Sequence, residues 1–428
     1  MKPNIVFITC HDLGRHLGCY GRHGIKSPAL DKLARGGVVF RNAFCTSSLC
    51  SPSRAALHTG RYPHVTGVNG LTHPPFSWRF GAEEWHLARW LRAQGYQETV
   101  LLGFQHLSMQ PASLGYTRCE FRIESARRLG TAAADYLYSK PAGPFYLEVG
   151  FFEAHRPFDW GGAVPDHSEG LTVLDGWEDT AEVRADFAAL RGAVAALDHG
   201  VGQIMTALRA TGMEENTLVV FTTDHGLPLV RAKSTLYDAG LETALIMRWP
   251  AAGLQGGDCY DGLFSNVDIV PTILEGMGLP QPTGVQGASH WPCLRGGGPM
   301  VRQHIFAEKT YHTGYEPMRA VRDERHKLIV NFEIGPAVDV PSDIIETDAF
   351  CSLRSEMIPS RKPVELYDLL HDPLERENLA ENPALQGVRD NLGSILRNWM
   401  RETDDPLLHG PIASPFRQQA LRALGVAG

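Results

Sequence analysis

One pentapeptide, Cys50-Ser51-Pro52-Ser53-Arg54, places a thiol and a guanidinium at a spacing that suits the chemistry of anions. Pro52 fits the first turn of a helix over residues 53–58, so Cys50 is predicted to lie just before that helix. Free backbone N–H groups and the helix dipole favour an anion at such a point. Arg54, about one turn inside the helix, can reach back toward the same anion. The pentapeptide therefore predicts an anion site beside Cys50.

The elements that must position this site alternate between strands and helices. Runs of β-branched and aromatic residues predict strands over residues 4–9, 99–102, 145–152, 218–223 and 244–247. Helical patterns cover residues 83–94 and 181–211, and a further helix is predicted from Pro28, with Ser27 as its cap. This alternation predicts an α/β fold with a large, mostly parallel sheet flanked by helices on both faces.

The pattern changes after Pro292, where Arg295-Gly296-Gly297-Gly298-Pro299 is typical of a linker. Beyond it, residues 319–332 are predicted to form a hairpin and residues 386–401 one amphipathic helix. We therefore expect a catalytic α/β domain over residues 1–295. A smaller C-terminal α+β domain, an antiparallel sheet plus a helix, is expected over residues 300–428.

Composition narrows the function classes. The 428 residues carry 40 basic and 48 acidic side chains, a net charge of −8, with 43% hydrophobic and 21% charged residues. These fractions exclude wholesale disorder. The mild acidity argues against nucleic acid as a partner, and no apolar run reaches the roughly 18 residues that cross a membrane. No secretory signal is recognised and the eight cysteines are scattered, so we expect a cytoplasmic protein.

Through the pentapeptide that begins at Cys50, the chain resembles the sulfatase family, in which the cysteine of a Cys-x-Pro-x-Arg motif is oxidised to formylglycine. The resemblance extends from the first strand and its loop, through Thr223-Asp224-His225-Gly226 and the segment Leu236-Tyr237-Asp238-Ala239-Gly240, to Glu365-Leu366-Tyr367-Asp368-Leu369. It implies a formylglycine-generating enzyme as the maturation partner. One hydroxyl of the hydrated aldehyde would attack sulfur, and the other would expel the sulfate and restore the aldehyde.

The resemblance also implies roles for individual residues. The catalytic set it implies is Cys50 as formylglycine precursor, Arg54 as its stabiliser, His106 as the second active-site histidine, His155 as acid and Lys233 as sulfate ligand. The ligands it implies for one divalent metal are Asp12, Cys50, Asp224 and His225, with His11 as a further candidate. The family pattern implies Ca²⁺ in this position.

Three positions depart from the family pattern. His11-Asp12 stands where two aspartates are usual, Asp224-His225 where Asp-Asn is usual, and Phe104 where a lysine is usual. Imidazole in place of hard oxygen ligands weakens the prediction of Ca²⁺ and favours Mn²⁺ or Zn²⁺. The missing lysine removes one cation from the place where sulfate would bind.

Within the family, Pro317-Met318-Arg319-Ala320-Val321 and Trp399-Met400-Arg401-Glu402-Thr403-Asp404-Asp405-Pro406 resemble the sulfamidases, the N-sulfatases of heparan sulfate. The predicted function is hydrolysis of a sulfate ester or N-sulfo group on a small sulfated saccharide. One alternative is a phosphonate monoester or phosphodiester hydrolase with the same formylglycine, which the Asp224-His225 pair also resembles. The other is a catalytically inactive binding protein, against which the intact pentapeptide argues.

Overall fold

The computed structural model describes residues 2–81, 83–121, 123–175, 177–335, 340–352 and 361–426. Its strands are β1 (Asn4–Cys10), β2 (Val38–Phe40), β3 (Ala43–Phe44), β4 (Glu98–Gly103), β5 (Arg118–Glu120), β6 (Phe145–Gly150), β7 (Thr217–Thr223), β8 (Leu245–Arg248), β9 (Asp258–Tyr260), β10 (Phe264–Ser265), β11 (Ile305–Tyr311), β12 (Tyr315–Arg322), β13 (His326–Asn331) and β14 (Val364–Asp368). Its helices are α1 (Pro28–Arg35), α2 (Cys50–Thr59), α3 (Pro63–Thr66), α4 (Leu87–Ala93), α5 (Ala126–Tyr138), α6 (Ala181–Ala210), α7 (Asp238–Leu241), α8 (Ile269–Gly276), α9 (Trp291–Leu294), α10 (Ser342–Ile345), α11 (Asp348–Ser352), α12 (Gln386–Glu402) and α13 (Pro415–Ala423).

The large sheet has eight strands in the order β5-β4-β6-β1-β7-β8-β2-β9, and only β8 runs antiparallel to its neighbours. Alternate residues of β1 face opposite sides of it. Val6 and Ile8 join a core with α1, α5 and α6, while Ile5 and Phe7 join another with α2, α4 and α8. Both faces are covered, which explains why β1 and β7 have continuous apolar runs at their centres. The predicted fold class is confirmed.

The second sheet is antiparallel, in the order β11-β12-β13-β14, and α12 packs against it through Leu392 and Leu396. The hairpin and helix predicted for the C-terminal part of the chain are therefore present. Apolar residues from the two parts share one cluster, in which Phe44 and Leu241 pack with Ile305. The boundary between residues 295 and 300 stays a prediction.

Two helix starts differ from the sequence predictions. The helix predicted over residues 83–94 begins only at Leu87, because the His86 ring accepts the Ala88 N–H at 3.1 Å and caps it. The helix predicted over residues 53–58 begins at Cys50, since the Ser53 N–H already bonds to the Leu49 carbonyl. Cys50 therefore lies in the first turn of this helix and not just before it. Among the described residues, no helix combines the length and apolar character needed to cross a membrane.

Candidate active site

The predicted site residues converge at the carboxyl ends of three neighbouring strands. Asp12 follows β1, His155 follows β6 and Asp224 follows β7 directly. Because β6, β1 and β7 are adjacent and parallel, their following loops meet at one edge of the sheet. The first turn of α2 brings Cys50 to the same place.

Cys50 lies in a buried, positively charged environment. Its side chain is almost completely buried, and Sγ lies 3.4 Å from Nε2 of His225. Burial by itself would raise the pKa of the thiol, but the charges of His11 and Lys233 outweigh it and lower that pKa well below its ordinary value. The surroundings therefore favour a negative charge at position 50, as the pentapeptide predicted.

Two buried carboxylates, those of Asp12 and Asp224, lie close to Cys50. Asp224 Oδ1 accepts the backbone N–H groups of Asp12 and His225, each at 3.0 Å. Asp12 Oδ1 lies 3.1 Å from Nδ1 of His11 and 3.0 Å from Nε2 of His225. Burial would raise the pKa of Asp12, but the ammonium of Lys233 outweighs it and holds that pKa well below its usual value. Both carboxylates are therefore held ionised.

The donor atoms fit a divalent cation. His11, Asp12, Cys50 and Asp224 each offer one ligand atom, and these atoms lie within 4.8 Å of one another. His225 donates its Nδ1–H to the Gly226 carbonyl at 3.0 Å, so its Nε2 faces Asp12 and Cys50 and can bind a metal once it has lost its proton. Despite burial, the two carboxylates raise the pKa of His225 well above its usual value. The site therefore attracts positive charge, which a metal would supply.

Two long cations are fixed within the site. Arg54 is fully buried, and its Nε lies 3.1 Å from Asp224 Oδ2. Lys233 Nζ lies 2.6 Å from Asp12 Oδ2 and 3.2 Å from Nε2 of His155. Arg54 therefore balances the charge of Asp224, and Lys233 connects Asp12 with His155.

Phe104, the residue where the family has a lysine, packs its ring inside the site. The Arg54 guanidinium lies 5.4 Å from the ring centroid, and the rings of His11 and His106 lie 4.7 and 5.0 Å away. The position therefore supports neighbouring side chains through packing and a cation–π contact instead of adding a charge.

The two candidate histidines differ in their partners. Nδ1 of His155 lies 2.5 Å from the carbonyl oxygen of Arg156, and Nε2 of the same ring faces Lys233 and Asp12. Burial, reinforced by Lys233, lowers the pKa of His155. His106 Nε2 lies 2.7 Å from Nδ1 of His73, and burial lowers the pKa of His106 to about 4. Both rings are held largely neutral in this state.

The structure thus brings every predicted site residue together: His11, Asp12, Cys50, Arg54, His106, His155, Asp224, His225 and Lys233. It also adds two that sequence reasoning missed. Asp343, on α10, places Oδ2 2.9 Å from Lys233 Nζ, and His73 contacts His106. Neither residue belongs to a motif with a recognisable spacing, so the sequence carries no signal for them.

Comparison with known proteins explains this arrangement. The family model described as Sulfatase matches residues 3–279, and that of the N-sulphoglucosamine sulphohydrolase C-terminal region matches residues 229–340. The chain belongs to the sulfatase family. As a sulfatase, it is a hydrolase of sulfuric esters.

Three relatives show how far the similarity extends. Human N-sulphoglucosamine sulphohydrolase is 28% identical, over 95% of this chain and 92% of its own. The solved structure of a 2-O GAG sulfatase superposes with a TM-score of 0.77 at 23% identity, covering 97% of this chain and 96% of its own. The phosphonate monoester hydrolase of Agrobacterium radiobacter also shares the fold, with a TM-score of 0.72 at 20% identity and coverage of 94% and 96%.

Proposed function

We propose that this sulfatase hydrolyses a sulfate ester or an N-sulfo group on a small sulfated saccharide, using a formylglycine formed from Cys50 and one divalent metal. The observation that carries the proposal is the surroundings of Cys50. Its buried side chain lies against His225, beside two ionised carboxylates and two cations that converge from distant parts of the chain. A buried structural cysteine needs none of these charged neighbours.

The chain's own residues supply the rest of the chemistry. A hydrated formylglycine would provide a hydroxyl nucleophile, and a divalent metal held by Asp12, Asp224 and His225 would lower the pKa of that hydroxyl. Lys233 binds sulfate oxygens and stabilises the charge that develops on them. His155 Nε2 lies 3.2 Å from Lys233 Nζ, and once that nitrogen has taken up a proton the ring can give it to the leaving oxygen or nitrogen.

A saccharide substrate is supported by the names of two relatives. Human N-sulphoglucosamine sulphohydrolase is named for an N-sulfated amino sugar, and the 2-O GAG sulfatase is named for a sulfated polysaccharide. The match of the N-sulphoglucosamine sulphohydrolase C-terminal model to residues 229–340 favours N-sulfoglucosamine as the first substrate to assay.

The proposal is tested on protein produced together with a formylglycine-generating enzyme. The mass of the peptide containing Cys50 should show an aldehyde in place of the thiol. Rates are then compared on N-sulfoglucosamine, 4-nitrophenyl sulfate and a 4-nitrophenyl phosphonate monoester. Cys50→Ala should abolish turnover, while Cys45→Ala, at another buried free cysteine, should retain it.

Each alternative has a distinct result in this experiment. A phosphonate ester that is hydrolysed faster by orders of magnitude would make the protein a phosphonate hydrolase. An aldehyde without turnover of any of the three substrates would indicate a binding protein. Treatment with a chelator should abolish activity, and add-back of Ca²⁺, Mn²⁺ or Zn²⁺ identifies the metal.

A further inference from the structure

A pair of histidines connects the Cys50 site with a partly exposed loop. His106 follows β4 and His73 lies in the loop after α3, with Nε2 of His106 2.7 Å from Nδ1 of His73. The two rings stack with centroids 4.9 Å apart and an interplanar angle of 25°. Nδ1 of His106 is buried and has no hydrogen-bond partner among the described residues. One nitrogen of His106 is therefore bound and the other is free.

Because His73 already engages Nε2, Nδ1 is the nitrogen left to take a proton from the group at position 50. A ring nitrogen of His106 lies within 4.8 Å of both Cys50 Sγ and a ring nitrogen of His11. Two imidazole nitrogens at hydrogen-bond distance share one proton, so one donates and the other accepts. If His106 donates from Nε2, its Nδ1 carries a lone pair that can accept a proton from position 50.

The backbone around the pair is tied to the pentapeptide. Thr72 donates its hydroxyl to the His106 carbonyl at 3.0 Å, and its N–H bonds to Ser51 Oγ at 3.2 Å. His106 has a positive φ of 62°, which a residue with a Cβ rarely adopts without such fixation. The loop that carries His73 therefore fixes the position of the histidine pair relative to Cys50.

We infer that His73 is a positioning residue: it fixes the tautomer of His106 and relays the proton that His106 accepts to solvent. A hydroxyl proton at position 50 moves to His106 Nδ1, the Nε2 proton of His106 moves to His73 Nδ1, and the Nε2 proton of His73 moves to water. One proton leaves the site, and no electron is transferred. The inference rests on the proposed formylglycine hydrolase.

The kinetic test uses matured protein and three variants of His73. In His73→Ala, kcat for the best substrate should fall about 100-fold while KM changes less than about threefold. Free imidazole should restore a large part of that loss, which a purely structural role does not allow. His73→Asn offers an acceptor near the place of Nδ1 without a second titratable nitrogen, so it should recover only part of the activity. His23→Ala, at an exposed histidine, should leave kcat unchanged.

A second readout does not depend on turnover. In ¹⁵N spectra of the unmodified Cys50 protein, His106 should carry its proton on Nε2, in a hydrogen bond that His73→Ala removes and His73→Asn retains. A proton on Nδ1 of His106, or full kcat in His73→Ala, would overturn the inference. If the wild-type protein hydrolyses neither a sulfate ester nor an N-sulfo group, the proposed function fails instead, while the spectra still decide whether His73 sets the tautomer of His106.

Discussion

Asp343 introduces a negative charge at the mouth of a site that must bind an anion. Its Oδ2 lies 2.9 Å from Lys233 Nζ and 3.7 Å from Nε2 of His155, and its side chain remains 22% exposed. Lys233 is therefore shared between the buried Asp12 and the half-buried Asp343. This arrangement opposes anion binding and at the same time favours the protonated form of His155.

Replacing Asp343 with asparagine should separate these two effects. Asp343→Asn removes repulsion of the substrate, so KM for the sulfate ester should fall about fivefold. The same change removes support for protonated His155, so kcat should fall about tenfold. Steady-state kinetics on matured enzyme measure both values, with Asp348→Asn, at an exposed position on α11, as the matched control. A rise in KM would mean that Asp343 binds the substrate instead.

At the scale of elements, the two C-terminal sequence strings that resemble sulfamidases meet in one buried ion pair. Arg319, on β12, is fully buried, and its guanidinium contacts both carboxylate oxygens of Asp405, which follows α12. The same guanidinium lies 3.4 Å from Glu308 on β11. The strings therefore join the helix to the sheet.

Asp405→Ala should destabilise the fold by about 3 kcal/mol, because it removes a partner of a buried charge. Urea unfolding followed by circular dichroism measures the loss. Asp404→Asn changes the neighbouring carboxylate, which is 95% exposed and whose positive φ of 54° asparagine tolerates, and should have almost no effect. Equal stability of the two variants would show that Glu308 alone can neutralise Arg319.

The same sheet also supports the segment that follows Lys233. Asp238 contacts Arg322 at 3.0 Å and Lys327 at 2.6 Å, and Lys327 also contacts Glu375 at 2.7 Å. These buried ion pairs anchor α7 on β12 and β13. The C-terminal sheet therefore helps to position a catalytic candidate that belongs to the other part of the chain.

At the scale of the whole molecule, several buried histidines remain neutral in the fold. Burial lowers the pKa of His16 and of His58 to about 3, and it also lowers the pKa of His86 well below its usual value. His58, His86 and Glu148 lie close enough to suggest a metal site. However, His86 Nδ1 accepts the Ala88 N–H, so its Nε2 carries the proton and offers no lone pair. These histidines influence stability, not metal binding.

The folded protein should therefore lose stability as the pH falls. Below about pH 6.5 the unfolded chain protonates His16, whereas the folded state protonates it only near pH 3. Each such histidine contributes a loss of about 1.4 kcal/mol per pH unit within that window. Urea unfolding at several pH values gives the free energy of unfolding as a function of pH. The slope of this dependence should be smaller by this amount in His16→Leu than in the wild-type protein, and it should be unchanged in His23→Ala. An unchanged slope in His16→Leu would mean that His16 is protonated in the folded state.

The sequence by itself determined the local features of this protein. The central buried strands and the helices α1, α2, α4, α6 and α12 follow from short-range periodicity and capping, and each predicted site residue lies in or beside a recognisable motif. Tertiary structure alone decided that Asp343 meets Lys233, that His73 meets His106 and that Arg319 meets Asp405. Each pair joins residues from separate loops or elements, so its distance depends on how whole elements pack. Periodicity within a segment carries no information about that packing, which arises only when the two sheets and their helices bury their apolar faces together.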